Sequence, residues 1–545
     1  MTQQIDDRDA LSLPARPRLA ADVRVHPPVE EGSPWIIERD GRRYFRVGPD
    51  LARLAQSLTG DHDQRELLVV LGRPWTEEVL TGALRQLHGL KLLADGDAPP
   101  PKRRRVAVVP PMTIQITVLD PSRILRRLAP LTDVLGRRPA LLACLALAIG
   151  GLVALALQAP TVDELISSPV PLTVFAVVFL GNFLATVVHE MAHGAVLTHF
   201  GGTPRRMGFM LFYLVPAFFC DVSDGWRLPR GAQRVRVALA GIAAQFVLAG
   251  ATALASLAVP DSTLRSSLVL LSAVIYVAGS VNVIPFVKFD GYLALMSHLD
   301  ISDLRTHAMA DARSFLVRVL FGVRTERVLP GRRWVVPYGL GCLLFPLVLV
   351  GFVGLRLWSE IFARMGYVGA MINLSLLLLI VCGIGKELVR LHRAALDGGG
   401  RLARLLGVDL VLAAVTLAVL TQGQVARTVP AGYVADGDGA RLYVTTSSDA
   451  GEIRPGQQVE LRDNGLLRRP QTGAGTIGDA PSEHAKISMT TFTPLDLDID
   501  LSTGVVAFRL DVADPPAHDH GVARVEVGER SLGGWLYDSY VAPVL

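Results

Sequence analysis

Residues 183–197, Phe183 to Leu197, read FLATVVHEMAHGAVL. The stretch is apolar enough for a membrane interior, yet it carries His189, Glu190 and His193. On a helix, side chains four apart lie on one face, so both imidazoles can reach a single ion. Zinc takes neutral imidazole nitrogens, and a carboxylate one residue on can hold and deprotonate a metal-bound water. The competing reading is two interfacial histidines beside a stray carboxylate. Ionisable groups inside a span are costly and usually functional, which weighs against it. Gly181, Ala185 and Thr186 in the preceding turns permit close helix packing.

The rest of the chain fits a membrane setting. Of 545 residues, 50% are hydrophobic and 19% charged, with mean hydropathy +0.38, too apolar for an ordinary soluble protein. Apolar spans are expected at roughly 139–158, 170–193, 236–259, 264–287, 335–357, 366–385 and 404–421. Each is near the ~20 residues a helix needs to cross about 30 Å of hydrocarbon. The stretch 207–220, MGFMLFYLVPAFFC, is shorter and contains Pro216, so it reads as a re-entrant or hairpin element covered by other protein. Cys144, Cys220, Cys342 and Cys382 all lie in or beside apolar segments and form no CxxC, as buried apolar thiols do.

The arginines set an expected orientation. The first twenty residues hold no secretory h-region, so the N-terminus is expected inside. Arginines then fall in the segments 121–138, 199–206, 227–236, 288–334 and 386–404, while the loops near 159–168, 260–263 and 358–365 have almost none. Seven spans with cytoplasmic arginines put the C-terminal region outside the cell membrane. That region, 425–545, carries 10 basic against 17 acidic side chains. The basic clusters elsewhere flank apolar spans without interleaved aromatics, which excludes a nucleic-acid groove.

The soluble ends differ in kind. Residues 1–21 are expected as a disordered tail and 22–97 as a small α+β domain. There SPWIIERDGRRYFRVG reads as two strands around Asp40-Gly41, followed by three short helices. In the last of these, Thr76 is the N-cap and Val79, Leu84, Leu87 and Leu90 are the apolar positions. Residues 98–120 read as a Pro-rich linker with a basic knot at Lys102 to Arg105, 121–422 as the membrane domain, and 425–545 as an all-β extracytoplasmic domain. The expected fold is thus a polytopic α-helical membrane protein with about seven spans and a re-entrant element, flanked by an α+β and an all-β domain.

A catalytic zinc usually has three protein ligands and one open position. The third candidate is Asp290 in NVIPFVKFDGYLALM, Asn282 to Met296, where Pro285 interrupts the helix. Taken alone, Asp290-Gly291 also reads as an ordinary helix-end turn. HExxH in one span and N-x-x-P-x-x-x-x-D-G in a later one resemble the site-2 protease group of intramembrane zinc metalloproteases. The resemblance implies that His189, His193 and Asp290 hold zinc, that Glu190 activates the water, and that Asn282 and its loop help place the substrate strand or oxyanion. FFCDVSDGWRLPRGAQRVRVALAG resembles a narrower bacterial branch, peptide zinc metalloproteases associated with small modified peptides. Asp221 to Asp224 within it receive no assigned role, a loop cap being the alternative. His199, off the ligand face, reads as structural.

The N-terminal domain, through YFRVGPDLARLAQSLTGD and TEEVLTGALRQLHGLKLL, resembles PqqD-like peptide-recognition domains of winged-helix type, which add an extended leader peptide to a sheet edge. A structural or dimerisation module is the alternative. EIRPGQQVELRDNG and GVARVEVGERSLGGWLYDSYV resemble the β portions of membrane-fusion adaptor proteins, implying contact with a peptide exporter or the emerging product; a passive lid is the alternative. Together these resemblances imply a membrane-embedded zinc endopeptidase acting on a small ribosomally made precursor peptide. Regulated cleavage of a membrane-anchored regulator and a non-enzymatic export or immunity component are the other readings. The intact Glu190 argues against the last. The residues that bind substrate are not legible.

Overall fold

The structure, a computed structural model, describes residues 13–28, 34–40, 43–94, 106–109, 113–212, 215–352, 366–436, 439–445, 450–465, 468–488, 493–496, 502–514, 516 and 518–545. The basic knot at 102–105, the loop near 358–365, Gly41 of the expected hairpin turn and the first twelve residues of the expected tail lie outside them. Contacts divide the chain into two compact units: residues 1–148, 183–248 and 275–302, and residues 149–182, 249–274 and 303–545.

In the first unit, three antiparallel strands, β1 (Val23–His26), β2 (Trp35–Arg39) and β3 (Arg43–Val47), form a sheet in that order. Three helices follow: α1 (Pro49–Ser57), α2 (Gln64–Leu71) and α3 (Glu77–Gly89). Their starts are written locally. Pro49 opens α1, Asp63 and Glu66 form a capping box on α2, and the Thr76 hydroxyl accepts from the Val79 amide at 3.4 Å on α3. Caps of this kind contribute about 1 kcal/mol each. Ile37, Leu54, Leu67, Leu71, Leu80, Leu84 and Leu87 close the core. Each large aliphatic side chain buried there contributes roughly 1.5–3 kcal/mol. Two details differ from expectation. The phase of α3 buries Leu80, while Val79 is 54% exposed. Strand β1 is added to the expected pair, and Leu13 and Leu19, within the expected tail, pack on the core.

Residues 106–119, within the stretch expected as a linker, carry β4 (Val106–Val109) and β5 (Thr113–Leu119). They join a hairpin formed by β7 (Met207–Phe212) and β8 (Val215–Cys220) into a sheet of order β4-β5-β7-β8. The expected re-entrant or hairpin stretch is therefore a β-hairpin, with β8 at the sheet edge. Gly208 pairs with Thr117 across β5, and a Cβ there would overlap the Ile116 carbonyl, so a side chain would part the strands. Short helices α4 (Ser122–Arg127) and α5 (Ala129–Leu135) follow β5.

Among the described residues, six helices are long and apolar enough to cross a membrane: α6 (Arg138–Leu157), α8 (Leu172–His199), α9 (Gly231–Leu257), α10 (Thr263–Val283), α14 (Gly366–Asp397) and α15 (Leu402–Gln422). Their outward faces are apolar, as on α6 with Leu141, Leu142 and Leu145 more than half exposed. Such faces suit lipid rather than water. The stretch expected as a span at 335–357 contains α13 (Val335–Phe352), whose apolar part, Val335–Leu349, is shorter. Helices α11 (Asp290–Leu299) and α12 (Leu304–Phe321) lie between α10 and α13 in the chain.

The second unit holds the C-terminal β domain. Its strands are β9 (Gln424–Asp436), β10 (Gly439–Val444), β11 (Gln458–Arg462), β12 (Gln471–Ile477), β13 (Glu483–Ser488), β15 (Ser502–Asp514) and β16 (His520–Ser531). They run in the order β10-β9-β16-β11-β12-β15-β13, and β10 also pairs with β15, which closes a barrel. Alternating inward residues such as Tyr433, Leu442, Val459, Leu461 and Val525 fill it. The barrel meets the segment before α8. The short strand β14 (Leu495–Asp496) pairs with β6 (Val170–Pro171), and Arg468 forms an ion pair with Asp163 on α7 (Ala159–Ser167).

Candidate metal centre

The centre is built within the first unit from α8, α9 and α11. His189 and His193 stand one turn apart on α8, and their Nε2 atoms lie 3.0 Å from each other. Asp290 is the first residue of α11, where the helix dipole favours a carboxylate. Its Oδ2 lies 2.9 Å from His189 Nε2 and 3.3 Å from His193 Nε2. The helix break expected at Pro285 is present: α10 ends at Val283 and α11 begins after six residues of turn. Gly291 is required at this junction, because a Cβ would overlap the Val283 carbonyl at the end of α10. The Asp-Gly pair is thus a packing solution as well as a candidate ligand position.

Hydrogen bonds on the far side of each ring fix its tautomer. His193 Nδ1 lies 2.7 Å from the Val237 carbonyl, which can only accept, so Nδ1 carries the proton. His189 Nδ1 lies 2.9 Å from Gln245 Oε1 and donates in the same way. Both Nε2 atoms then present lone pairs. Asp290 Oδ2 is buried without a hydrogen-bond donor. With both rings neutral, the two Nε2 lone pairs and Oδ2 face one another at 2.9–3.3 Å, a spacing that a shared proton or a metal ion bridges. A tetrahedral zinc with arms near 2.0–2.1 Å sets its ligand atoms about 3.3–3.4 Å apart, so small outward shifts accommodate it. The two-nitrogen, one-oxygen donor set also suits zinc and leaves one position open. The residues present fit the metal that the sequence implies.

Helix α9 makes room for this arrangement. A Cβ on Gly241 would lie 2.6 Å from His189 Nε2 and closer still to His193 Nε2. Its backbone is one wall of the centre. The sequence reading missed Val237, Gly241 and Gln245. Gln245, a buried polar side chain in the apolar run GIAAQFVLAG, was the available signal, because an amide in a span demands a partner.

Glu190 is not one of the clustered groups: its Oε2 accepts the Cys220 amide at 2.7 Å. The end of edge strand β8 is thus tied to the residue between the two histidines. Asn282 occupies the last turn of α10, and among the described contacts it makes none with Glu190 or the three clustered residues. His199 pairs with Asp133 at 2.6 Å, outside the centre. Asp221 receives Arg206, and Asp224 accepts the Thr203 amide at 2.8 Å, so both close the loops between α8 and α9. No protein-family model matches the chain, and neither a curated protein nor a solved structure does.

Proposed function

We propose that the chain is a membrane-embedded zinc endopeptidase that cleaves a small ribosomally made precursor peptide. The observation that carries this reading is the convergence of His189, His193 and Asp290 with their electron-rich atoms facing inward. Zinc, when bound there, supplies Lewis acidity toward a water and the scissile carbonyl. Glu190, one residue from the first ligand, takes the proton from that water and delivers it to the departing amine as the carbon–nitrogen bond breaks. Its bond to the Cys220 amide holds the carboxylate beside the open edge of β8. A peptide added to that edge as a further strand is extended, as a protease substrate must be, and runs toward Glu190. Asn282 and its loop are the proposed aid to placing that strand.

In this reading α13 supplies a seventh span, and the hairpin β7–β8 is the re-entrant element. The N-terminal domain is PqqD-like, of winged-helix type, and cytoplasmic; the barrel lies outside the cell membrane, where it meets an exporter or the product. The test is elemental analysis of detergent-purified chain, followed by hydrolysis of a candidate precursor peptide. Wild type should hold about one zinc, Asp290→Ala should lose it under mild chelation, and Glu190→Gln should keep it while losing roughly 10²–10⁴ in rate. A well-folded wild type without zinc overturns the proposal.

A further inference from the structure

The N-terminal sheet has two covered faces. Ile37 on β2 belongs to the core under α1–α3. Its neighbours Ile36 and Glu38 are 6% and 1% exposed without belonging to that core. Strand alternation puts them on the opposite face. Register places His26 and Arg46 beside Ile36, and Tyr44 beside Glu38, on that same face. What covers this face is the region carrying the metal centre.

Four polar pairs define the seat. Glu38 divides its carboxylate between Arg205 and His26, each at 2.5 Å. Arg205 lies in the loop that directly follows α8, the helix of both histidines. Arg46 reaches both oxygens of Asp300, at 2.8 and 3.0 Å. Asp300 also receives Arg234 at 2.6 Å. Arg234, 6% exposed, sits in the first turn of α9, three residues before the Val237 carbonyl that holds His193. Asp300 in turn caps the C-terminus of α11, the helix whose first residue is Asp290. Ten helical residues span about 15 Å and move as one rod. The sheet therefore touches the loop after α8 and the C-terminal cap of α11 directly, and reaches α9 only through Asp300.

We propose that Glu38 and Arg46 are positioning residues for the metal centre: the seated N-terminal domain holds α11 where Asp290 meets the two imidazoles. The proposal rests on the reading of that centre as metal-binding. Desolvation gives the Glu38 half of the seat its specificity, because a buried carboxylate stripped of its partner is strongly disfavoured, whereas the Arg46–Asp300 pair is solvent-exposed and acts by geometry. The domain is then a control element of the centre, in addition to any peptide it captures.

The test uses the full chain, loaded with zinc in detergent micelles. One measurement is zinc retention against a chelator, and the other is amide exchange in residues 200–206 and 296–303. The variants are Glu38→Arg, Arg205→Glu, the two combined, and the milder Arg46→Gln, which keeps the fold if a charge reversal does not. Glu38→Arg should speed exchange in both segments and weaken zinc retention roughly tenfold, within the range such relays transmit. The combined swap should restore most of both losses, and Arg46→Gln should weaken retention about threefold. Faster exchange with unaltered zinc retention overturns the proposal and leaves a mere tether. Unaltered exchange in Glu38→Arg overturns it by removing the seat. A wild type with protected segments but no zinc removes the metal reading and this proposal together.

Discussion

His189 donates from Nδ1 to Gln245 Oε1 across 2.9 Å, so an amide on α9 decides which nitrogen of an α8 histidine faces the centre. Without that acceptor, the ring can turn or change tautomer, and its buried N–H loses its partner. Gln245→Leu should therefore weaken zinc retention by roughly 10–100-fold while Gln245→Glu, which keeps an acceptor, should retain it far better. Chelator competition on the purified chain decides this. Equal retention in both variants would mean that the ring is oriented by packing alone.

Gly241 makes the opposite kind of prediction. Alanine is the better helix former, by about 1 kcal/mol in an exposed helix interior, so Gly241→Ala need not harm α9 as a helix. Its methyl, however, falls against the Nε2 atoms of His189 and His193. The variant should remain folded in a thermal melt of the metal-free chain and bind no zinc by elemental analysis. Full occupancy in this variant would show that the ligand nitrogens converge away from the α9 wall.

The seat predicts a pH dependence. Burial opposes ionisation of Glu38, but Arg205 and His26 more than offset it and hold its carboxyl below the ordinary range. A carboxyl lowered in the folded state contributes stability that is complete above its unfolded value, near 4.3 for glutamate, and that is lost as pH falls through the lower folded value. The melting difference between wild type and Glu38→Gln should thus be largest near neutrality and shrink below about pH 4. A difference that grows with acid would place the carboxylate in a different environment.

What could be read ahead followed from local chemistry. The HExxH face depends only on helical spacing, so the adjacency of His189 and His193 was legible, and the break at Pro285 depends only on a missing amide hydrogen; Asp290 was singled out by the pairing of two motifs and not by local chemistry. Six of the seven expected span positions followed from apolar runs of fixed length, and the run at 335–357 did not. Val79 and Leu80 show the limit of this: an apolar pair one residue apart leaves the helix phase open until the core selects Leu80. The sheet of β4, β5, β7 and β8 joins segments about ninety residues apart, and nothing local announces such a pairing. The Pro-rich composition around it instead suggests a linker. Val237 contributes a backbone carbonyl, which no sequence pattern marks. Glu38 and Arg205 are ordinary surface residue types, and only tertiary packing buries the carboxylate and brings the half-buried arginine onto it.

The barrel is joined to α15 through one residue, Gly423, before β9 begins. Its last strand returns to the same place: Ser531 pairs with Gln424, and the Leu532 amide donates to the Gly423 carbonyl at 2.7 Å. The chain thus departs and comes back at one point, and residues 424–531 form a closed excursion between two adjacent ends. Apart from its contacts with Asp163 and Val170–Pro171, such a piece has the adjacent ends of an exchangeable cassette. A different small β domain with neighbouring termini could be grafted in its place, and the last span would still meet residues 532–541 as it does now.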